Sequence, residues 1–388
     1  MILRDANFYD LVARGLDGVG YQEFVDTVFA DKYNVPQTQG FRWDDEIQID
    51  FEYKQLQTEL GIYAMATYVD VDSPSPYRST QGFQLNTGSV PRFKHGFSLN
   101  EKMIREQMIL LDDFNGKMTD RMQSALKREL FNSTDQLIGG NYNTLTYQRH
   151  QSVSTGQFSI LDANNPQGIK NVSFDFRVPD KNKRTLTGQN RWWTDVAMTT
   201  EGTSSDPIAD LIERVKFSRD NFIPAGHFEV DKTLWDAFVG HSKVLTAIGY
   251  MHTPNATAAE ALQIGRNIPE DLIKGFVERK IQMPITVIDS ISAVERYSKT
   301  ERKVNKEPIR SFDGSNFVLV PDGELGTIKA VRPIVVDDPA ARIAFYDGGR
   351  TVLMQTFDAK RKIQYIESEL TALTVPNKAQ YMIYLTVK

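Results

Sequence analysis

The chain has 388 residues, of which 40% are hydrophobic and 24% are charged, and it contains no cysteine. This composition is ordinary for a globular protein and excludes a disordered chain, and the length predicts two or three domains. The absence of cysteine excludes disulfides, thiolate nucleophiles and cysteine-ligated metal centres. The 45 Lys and Arg against 50 Asp and Glu give a net charge of -5, which argues against tight general binding of nucleic acid.

The amino-terminal residues 1–61 are predicted to form an extended arm. Residues 31–59 have few periodic signals, as in a segment that runs over other structure. The first 60 residues contain 5 basic and 12 acidic side chains, so the arm is not predicted to grip DNA. The run Asp44-Asp45-Glu46 is interpreted either as a solvated turn or as an acidic contact for a basic patch on a neighbouring subunit.

Residues 62–97 are predicted to form a long two-stranded hairpin. Apolar residues alternate with polar ones on both sides of a proline-rich centre, as in two strands joined by a turn. A hairpin isolated from a sheet is only marginally stable in water. The predicted hairpin therefore needs a partner surface, either within its own domain or on another copy of the chain.

A long helix is predicted to begin at Ser98. Ser98 and Glu101 have the spacing of a capping box, which satisfies two free amides at a helix start. An apolar stripe at helical spacing follows from Met103 to Leu130, longer than the usual globular helix. We interpret the stripe as core, although its methionines also fit an adaptable groove. Gly139-Gly140 is expected to end this region.

Short strands are predicted next, with turns rich in Asn, Pro and Asp between them. Their ranges are 143–147, 157–161 and 172–178. A basic run, Lys-Asn-Lys-Arg at 181–184, follows the last of these strands. A solvated loop is the ordinary interpretation of this run, and a phosphate contact is the alternative.

Residues 203–330 are predicted to alternate helices and strands, as in an α/β lobe. Asp206 before Pro207 predicts a helix start, with Asp206 as the N-cap and proline in the first turn. Further helices are predicted from Asp231 and after Pro269. Strands are predicted at 285–288, 317–320, 345–346, 352–357, 363–367 and 381–387, so the end of the chain is rich in strands.

The sequence motifs predict no catalytic, cofactor-binding or metal site. The sequence has no phosphate-binding loop, dinucleotide-binding glycine motif, His-Glu-x-x-His or Gly-x-Ser-x-Gly. None of the five histidines has another His three or four residues away, and the one carboxylate at that spacing is Asp231, four residues after His227. His227, Glu229 and Asp231 share one face of a strand pattern, which fits an ion site or an acid–base pair. We prefer a strand that enters a helix cap at Asp231.

The order of these elements resembles that of the tailed-phage major capsid proteins with the HK97-type fold, especially the capsid E branch. The local similarities are Val-Pro-Arg-Phe-Lys-His-Gly-Phe at 90–97 before the long helix, Trp192-Trp193 followed by Ser-Asp-Pro-Ile-Ala-Asp at 205–210, and Phe-Val-Leu-Val-Pro at 317–321 followed by Leu325-Gly326. The resemblance covers nearly the whole chain.

This resemblance implies an α+β fold of the HK97 type. The implied parts are an extended arm at 1–61, a hairpin called the E-loop at 62–97, a peripheral (P) domain at 98–202 with a spine helix at 98–132, an axial (A) domain at 203–330, and a return to the strands of the P domain at 331–388. Because the arm starts almost at once, a separate scaffold protein or none is expected.

The resemblance also implies a function without enzymatic activity. Copies of a major capsid protein self-assemble as hexamers and pentamers into an icosahedral shell that holds phage double-stranded DNA by confinement. The implied location is the virion, after synthesis in the host cytoplasm, with portal, scaffold and decoration proteins as further partners and no membrane. The alternatives are an encapsulin-like compartment around protein cargo, and a carbohydrate-acting hydrolase with paired carboxylates.

Two sets of residues are expected to carry this function. The residues expected at contacts between subunits are Tyr68, Pro74, Pro76, Tyr77, Phe83 and Leu85. The residues expected to face DNA are Arg121, Lys127, Arg128, Lys181, Lys183 and Arg184.

Overall fold

A computed structural model of the chain describes residues 40–58, 83–99, 120–194, 200–298, 303–334, 342–358 and 363–387. Within these residues the fold is mixed α+β. The strands are β1 Phe41–Trp43, β2 Glu52–Thr58, β3 Phe83–Ser89, β4 Arg92–Leu99, β5 Gln157–Ile160, β6 Val172–Asp175, β7 Lys183–Thr185, β8 His227–Asp231, β9 Ile285–Ile288, β10 Ile291–Ser298, β11 Lys303–Arg310, β12 Asn316–Val320, β13 Gly326–Ala330, β14 Arg342–Tyr346, β15 Thr351–Asp358, β16 Ile363–Pro376 and β17 Ile383–Thr386. The helices are α1 Asp120–Thr155, α2 Pro207–Asp220, α3 Lys232–Gly240, α4 Ser242–His252, α5 Ala258–Arg266 and α6 Glu270–Ile281.

The described residues divide into two units, and the first lies within 40–53, 88–146 and 327–374. Its sheet has the strand order β1-β13-β16-β15-β14, and β4 also pairs with β16. The long strand β16 is antiparallel to both β15 and β4. A strand that is paired on both sides satisfies its backbone groups within the sheet, so β16 is the centre around which this unit is built.

Helix α1 packs on this sheet through a buried face that is partly polar. The Nδ2 atom of Asn141 donates to Tyr346 Oη at 3.0 Å and to Ser368 Oγ at 2.7 Å. Gly140 faces His95 of β4, and a Cβ atom at position 140 would overlap the imidazole ring. Glycine is unfavourable inside a helix, and here it permits the close approach of the strand to the helix.

The second unit lies within 54–87, 147–326 and 375–388. Its five-stranded sheet has the order β7-β17-β12-β8-β9, with parallel pairs at both edges and antiparallel pairs between them. Its core is aromatic: the ring of Trp192 lies 5.3 Å from that of Phe317 and 5.5 Å from that of Phe238. Edge-on and tilted rings at this spacing add attraction to the burial of apolar area.

Two glycines allow α4 and α5 to pack without intervening side chains. A Cβ atom at Gly249 would overlap the backbone carbonyl of Ala261, and one at Gly265 would overlap that of Leu245. The backbone of one helix therefore lies directly against the other. A capping box at Thr257 and Glu260 fixes the start of α5.

A ribbon of β10 and β11 extends from the second unit, and the two strands pair with each other along their full length. Arg296 of β10 donates to Asp162 Oδ2 and to Glu307 Oε2, both at 3.1 Å. Gln167 donates to the carbonyl of Glu295 at 3.1 Å. These bonds attach one side of the ribbon to the loop after β5.

The predicted spine helix at 98–132 needs correction. Ser98 and Leu99 lie in β4, where they pair with Tyr365 and Gln364 of β16, so Ser98 is not a helix cap. Helix α1 runs from Asp120 to Thr155, and most of the predicted apolar stripe lies outside the described residues.

The helix also continues past Gly139-Gly140 and through the predicted strand at 143–147. Thr144 and Thr146 favour strands by propensity, yet their hydroxyls donate to the carbonyls of Gly140 and Tyr142 one helical turn earlier. Tertiary packing of the buried face overrides local propensity here.

The predicted hairpin at 62–97 is displaced. Strand β3 pairs with β2, so the described part of the hairpin begins at Glu52, while β4 leaves it and joins the sheet of the first unit. Other helix starts and strands predicted from the sequence agree with the structure. Asp206 caps α2 with Pro207 in its first turn, and Asp231 at the end of β8 caps α3, as preferred in the sequence. The strands predicted from 285 onwards are confirmed as β9, β12 and β14 to β17.

The second sheet crosses the predicted domain limits. Strands β7 and β17 lie outside 203–330, yet both belong to the sheet that contains β8, β9 and β12. Residues 1–39 of the predicted arm lie outside the described residues.

Candidate assembly surfaces

The hairpin of β2 and β3 is the described part of the predicted inter-subunit element. Among the described residues the two strands pair only with each other. Near its base, Tyr53 is buried and Gly88 lies against the Tyr53 ring, where a Cβ atom would come within 2.8 Å. The amide of Val90 donates to Phe51 O at 2.7 Å. The base of the hairpin is therefore fixed to the chain that carries it.

The structure locates only part of the residue set expected at subunit contacts. Phe83 and Leu85 lie in β3. Tyr68, Pro74, Pro76 and Tyr77 lie outside the described residues.

The three acids at 44–46 have different surroundings. One has partners within the first unit, and the other two are exposed. Asp44 forms an ion pair with Lys329, and its carbonyl accepts from Arg350 Nη2 at 3.0 Å. Asp45 and Glu46 are exposed. Asp44 thus has a structural role within the first unit, while Asp45 and Glu46 are available to a neighbouring molecule.

An apolar groove of about 680 Å³ lies in the first unit. It was not predicted from the sequence. Among the described residues, apolar side chains, the turn after β14 and the cation Arg332 line it. The lining residues are Ile47, Ile49, Arg332, Pro333, Ile343, Phe345, Gly348 and Gly349. Ile49 is 81% exposed and Phe345 is 40% exposed. Exposed apolar patches of this kind commonly mark interaction sites.

A sequence signal for part of this groove was present. Ile47, Ile49, Phe51 and Tyr53 alternate with polar residues, as they do in a strand. The amide of Gln48 donates to Ala330 O at 2.9 Å, and the amide of Arg332 donates to Gln48 O at 2.7 Å. This segment therefore extends the edge of the first sheet.

The basic run at 181–184 is mostly neutralised by its own unit. Lys183 Nζ lies 3.3 Å from Asp180 Oδ1, and Arg184 pairs with Glu213 and lies 3.5 Å from Asp210. Lys181 is exposed, and no acidic side chain of the described residues pairs with it. Of this run, Lys181 is the cation most available to an outside phosphate.

Three other residues expected to face DNA, Arg121, Lys127 and Arg128, lie on α1. The structure describes their place in the helix and not their side chains.

In β8, Glu229 forms a buried ion pair with Arg149 and does not form the acid–base pair considered from the sequence. Arg149 Nη1 donates to Glu229 Oε2 at 2.8 Å, and the two side chains are 1% and 3% exposed. Burial alone would raise the pKa of Glu229, but Arg149 and His227 outweigh it and lower this pKa to about 2. With this lowered pKa Glu229 is ionised near neutral pH and serves as a structural partner, which is unsuited to proton transfer there.

A serine and a histidine also meet in the second unit, at Ser205 and His241. The backbone amide of Lys243 donates to His241 Nδ1, so the proton of the neutral ring is on Nε2 and points at Ser205 Oγ, 3.0 Å away. The serine hydroxyl in turn donates to Gly202 O at 2.7 Å. A nucleophilic serine needs a histidine that accepts its proton, and this arrangement has the opposite polarity.

The part of the chain that the structure describes has neither a metal-binding cluster nor a membrane-spanning helix. No group of three or more His, Cys, Asp or Glu side chains has the geometry to hold a metal ion. No helix there has an apolar stretch long enough to span a bilayer. The described residues do present a hairpin with no further strand and an exposed apolar groove, two surfaces that are suited to binding other molecules.

Comparison with known proteins defines the family. The family model described as phage major capsid protein E matches residues 34–339, well over half of the chain. The chain therefore belongs to the phage major capsid protein E family. As a member of that family it is a capsid shell protein, a structural component of a bacteriophage virion.

Solved structures with a similar chain trace are distant in sequence. A candidate capsid protein of a prophage of Escherichia coli CFT073 is 12% identical, with 99% of each chain covered and a TM-score of 0.45. A phage-related protein of Bordetella bronchiseptica RB50 is 11% identical over 93% of this chain and 95% of the other, with a TM-score of 0.42. The mature capsid of bacteriophage PhiM1 is 9% identical over 91% and 87%, with a TM-score of 0.41. No curated protein matches the chain.

Proposed function

We propose that copies of this chain self-assemble as hexamers and pentamers into an icosahedral shell that encloses phage double-stranded DNA. The observation that carries the proposal is membership of the capsid family across residues 34–339. The exposed groove and the β2–β3 hairpin support it, because a shell subunit must present surfaces that only neighbouring copies cover. Portal, scaffold and decoration proteins are further proposed partners, with synthesis in the host cytoplasm.

In this proposal the hairpin acts as the E-loop and reaches a neighbouring subunit. Its two strands have no third strand among the described residues, and an isolated hairpin is marginal in water. Contact with a neighbour supplies the missing surface. Tyr68, Pro74, Pro76, Tyr77, Phe83 and Leu85 remain the proposed contact residues.

We assign the first unit to the peripheral domain and the second to the axial domain. A long helix on a sheet in which β4, β14, β15 and β16 pair in antiparallel fashion supports the first assignment, and a mixed sheet with flanking helices supports the second. The extended arm at 1–61 is proposed to lie along neighbouring subunits. Its exposed acids Asp45 and Glu46 are suited to a basic patch there.

The packaged DNA is proposed to be held by confinement rather than by tight binding. A strongly basic wall would bind phosphates with a steep dependence on salt, and the chain has a net charge of -5. Lys181 is the best-supported contact of the 181–184 run, because Lys183 and Arg184 have acidic partners of their own. Arg121, Lys127 and Arg128 remain proposed contacts.

The test is to image the purified chain by negative-stain electron microscopy. We expect closed particles tens of nanometres across, and in virions these contain nuclease-protected DNA. A chain that stays a small oligomer at all concentrations would contradict shell formation. Protein cargo in place of DNA would favour the encapsulin-like alternative, and glycosidase activity of a small oligomer would favour the hydrolase.

A deletion tests the hairpin separately. Removal of residues 62–79 keeps both β2 and β3, so we expect a folded, soluble subunit with an unchanged melting temperature that does not close into shells. Intact particles from this variant would show that the hairpin tip is dispensable.

A further inference from the structure

Helix α2 ends in a motif that normally requires glycine. The amide of Phe222 donates to Arg219 O at 3.2 Å, and the amide of Ile223 donates to Ser218 O at 2.9 Å. These two bonds are the pair that defines a Schellman motif, in which the residue after the C-cap is left-handed. That residue is Phe222, with φ of 57°.

Phe222 is an unfavourable residue for the stability of the second unit in two respects. A bulky side chain at positive φ is strained, which is why glycine predominates at this position. In addition, its side chain is 67% exposed, so the ring gains little from burial. A strained residue that the surrounding fold does not use is a reason to look for a function elsewhere.

The surroundings of Phe222 form a defined surface. Helix α6 also ends at a left-handed residue, Gln282, whose Oε1 accepts from Arg219 Nη2 at 3.2 Å. The ends of the two helices therefore lie side by side. Exposed prolines follow both ends, and cations occupy both last turns. We call this the helix-end surface: Arg219, Phe222, Pro224, Arg279, Lys280, Gln282 and Pro284.

We propose that Phe222 anchors a contact between copies of this chain, and that the helix-end surface takes an acidic and apolar segment of a second copy. This inference rests on the proposed shell and adds to it a contact outside the arm, the hairpin and the groove. An aromatic centre with a polar rim is the usual composition of the energetically dominant part of an interface.

Charge favours a second copy as the occupant. Arg219, Arg279 and Lys280 make the surface basic, whereas residues 1–60 carry 12 acidic and 5 basic side chains. Opposite charges of this kind steer association and set its specificity. Asp220 is exposed directly beside Phe222 and offsets one of these three cations, so the surface remains basic.

Two substitutions at this position separate the role in assembly from the role in folding. Phe222→Gly relieves the strain, so the melting temperature of the unassembled subunit should rise by about 2 °C. The same variant should need about tenfold more protein to form particles, because it lacks the anchor. Phe222→Tyr keeps the ring and should assemble like the wild type.

The outcomes distinguish this inference from the shell itself. Absence of particles from the wild type would contradict the proposed function. Wild-type particles together with normal assembly of Phe222→Gly would overturn the role of Phe222 and leave the shell intact. A loss of assembly in Phe222→Tyr as large as that in Phe222→Gly would also contradict an aromatic anchor.

A photocrosslinking residue at position 222 identifies the occupant. Mixed particles of ¹⁴N- and ¹⁵N-labelled subunits, irradiated and analysed by mass spectrometry, should yield mixed-isotope peptides that join position 222 to an acidic segment of another copy. Crosslinks confined to a single copy, or to nucleic acid, would overturn the assignment.

Discussion

Arg149 and Glu229 form a two-pronged ion pair in the interior of the second unit, between α1 and β8. Both side chains are almost fully buried, and His227 Nε2 lies 3.5 Å from the same carboxylate. Removing two charges from water costs several kcal/mol each, and only good geometry and further hydrogen bonds compensate for it. The pair therefore fixes which surfaces of α1 and β8 meet.

Substitution of one partner should be far more damaging than substitution of both. Arg149→Met leaves the buried carboxylate without its two-pronged partner, and we expect it to lower the free energy of unfolding by about 3–5 kcal/mol. The double variant Arg149→Met with Glu229→Leu removes both charges and should recover most of that loss. Urea unfolding followed by circular dichroism measures both. A single variant within about 1 kcal/mol of the wild type would show that the carboxylate finds another partner.

The contact between α4 and α5 depends on Gly249 and Gly265. Because a Cβ at either position overlaps a backbone carbonyl, Gly249→Ala or Gly265→Ala should destabilise the subunit by about 1–3 kcal/mol. Gly275→Ala in α6 is the matched control, since nothing lies within 4 Å of its Cβ position, and it should stabilise by about 0.5–1 kcal/mol. Thermal unfolding compares the three. Equal effects at all three positions would contradict the close helix contact.

Asp347 makes the stability of the first unit depend on pH. Burial raises the pKa of Asp347 to about 6, although Arg350 and a hydrogen bond from Tyr142 Oη at 3.2 Å act in the opposite direction. The folded state therefore binds this proton more tightly than the unfolded chain, whose carboxyl has a pKa near 3.8. Its contribution to stability is greatest at low pH and is lost as pH rises through 6.

The variant Asp347→Asn isolates this effect. Asparagine tolerates the positive φ of 55° at this position and carries no titrating group. Relative to the variant, the wild type should gain on the order of 2 kcal/mol as pH falls from 7 to 4.5. Glu229 does not obscure this window, because its lowered pKa makes its contribution disappear only at more acidic pH. A pH-independent difference in unfolding free energy would contradict the buried carboxyl.

The groove of the first unit should matter for assembly and not for folding. Ile49 is largely exposed, so Ile49→Asp should change the stability of the subunit by less than about 0.5 kcal/mol. It should nevertheless reduce particle yield in light-scattering assays, because a charge would enter an apolar contact between copies. Ile169→Asp, at another exposed isoleucine, is the control and should leave the yield unchanged. Equal yields from both variants would argue that the groove stays open in the shell.

Elements with strong local signals were predictable from the sequence. The caps at Asp206 and Asp231 are local hydrogen-bond arrangements that short motifs describe well. Strands β12 and β15 have alternating or continuous apolar runs between turn residues and form as predicted, whereas β16 continues to Pro376, beyond the predicted end at residue 367.

Helix α1 was misjudged because its buried face is only partly apolar. Its interior positions include Asn141, Gln148, Arg149 and Ser152, whose partners come from distant parts of the chain or from the helix backbone. Hydrophobic periodicity detects only apolar faces. The sequence patterns also did not predict the Arg149–Glu229 pair, the displaced hairpin or the groove. Each of these features joins segments that are far apart in sequence.

The place of β17 in its sheet constrains when the second unit can complete its fold. This strand lies between β7 and β12 and comes after both in the sequence. During translation, at about 5–20 residues per second, β12 is made before the strand that covers its open side. A nascent chain thus cannot finish this unit until β17 has left the ribosome, and until then the unpaired edge of β12 is open to strands of other chains.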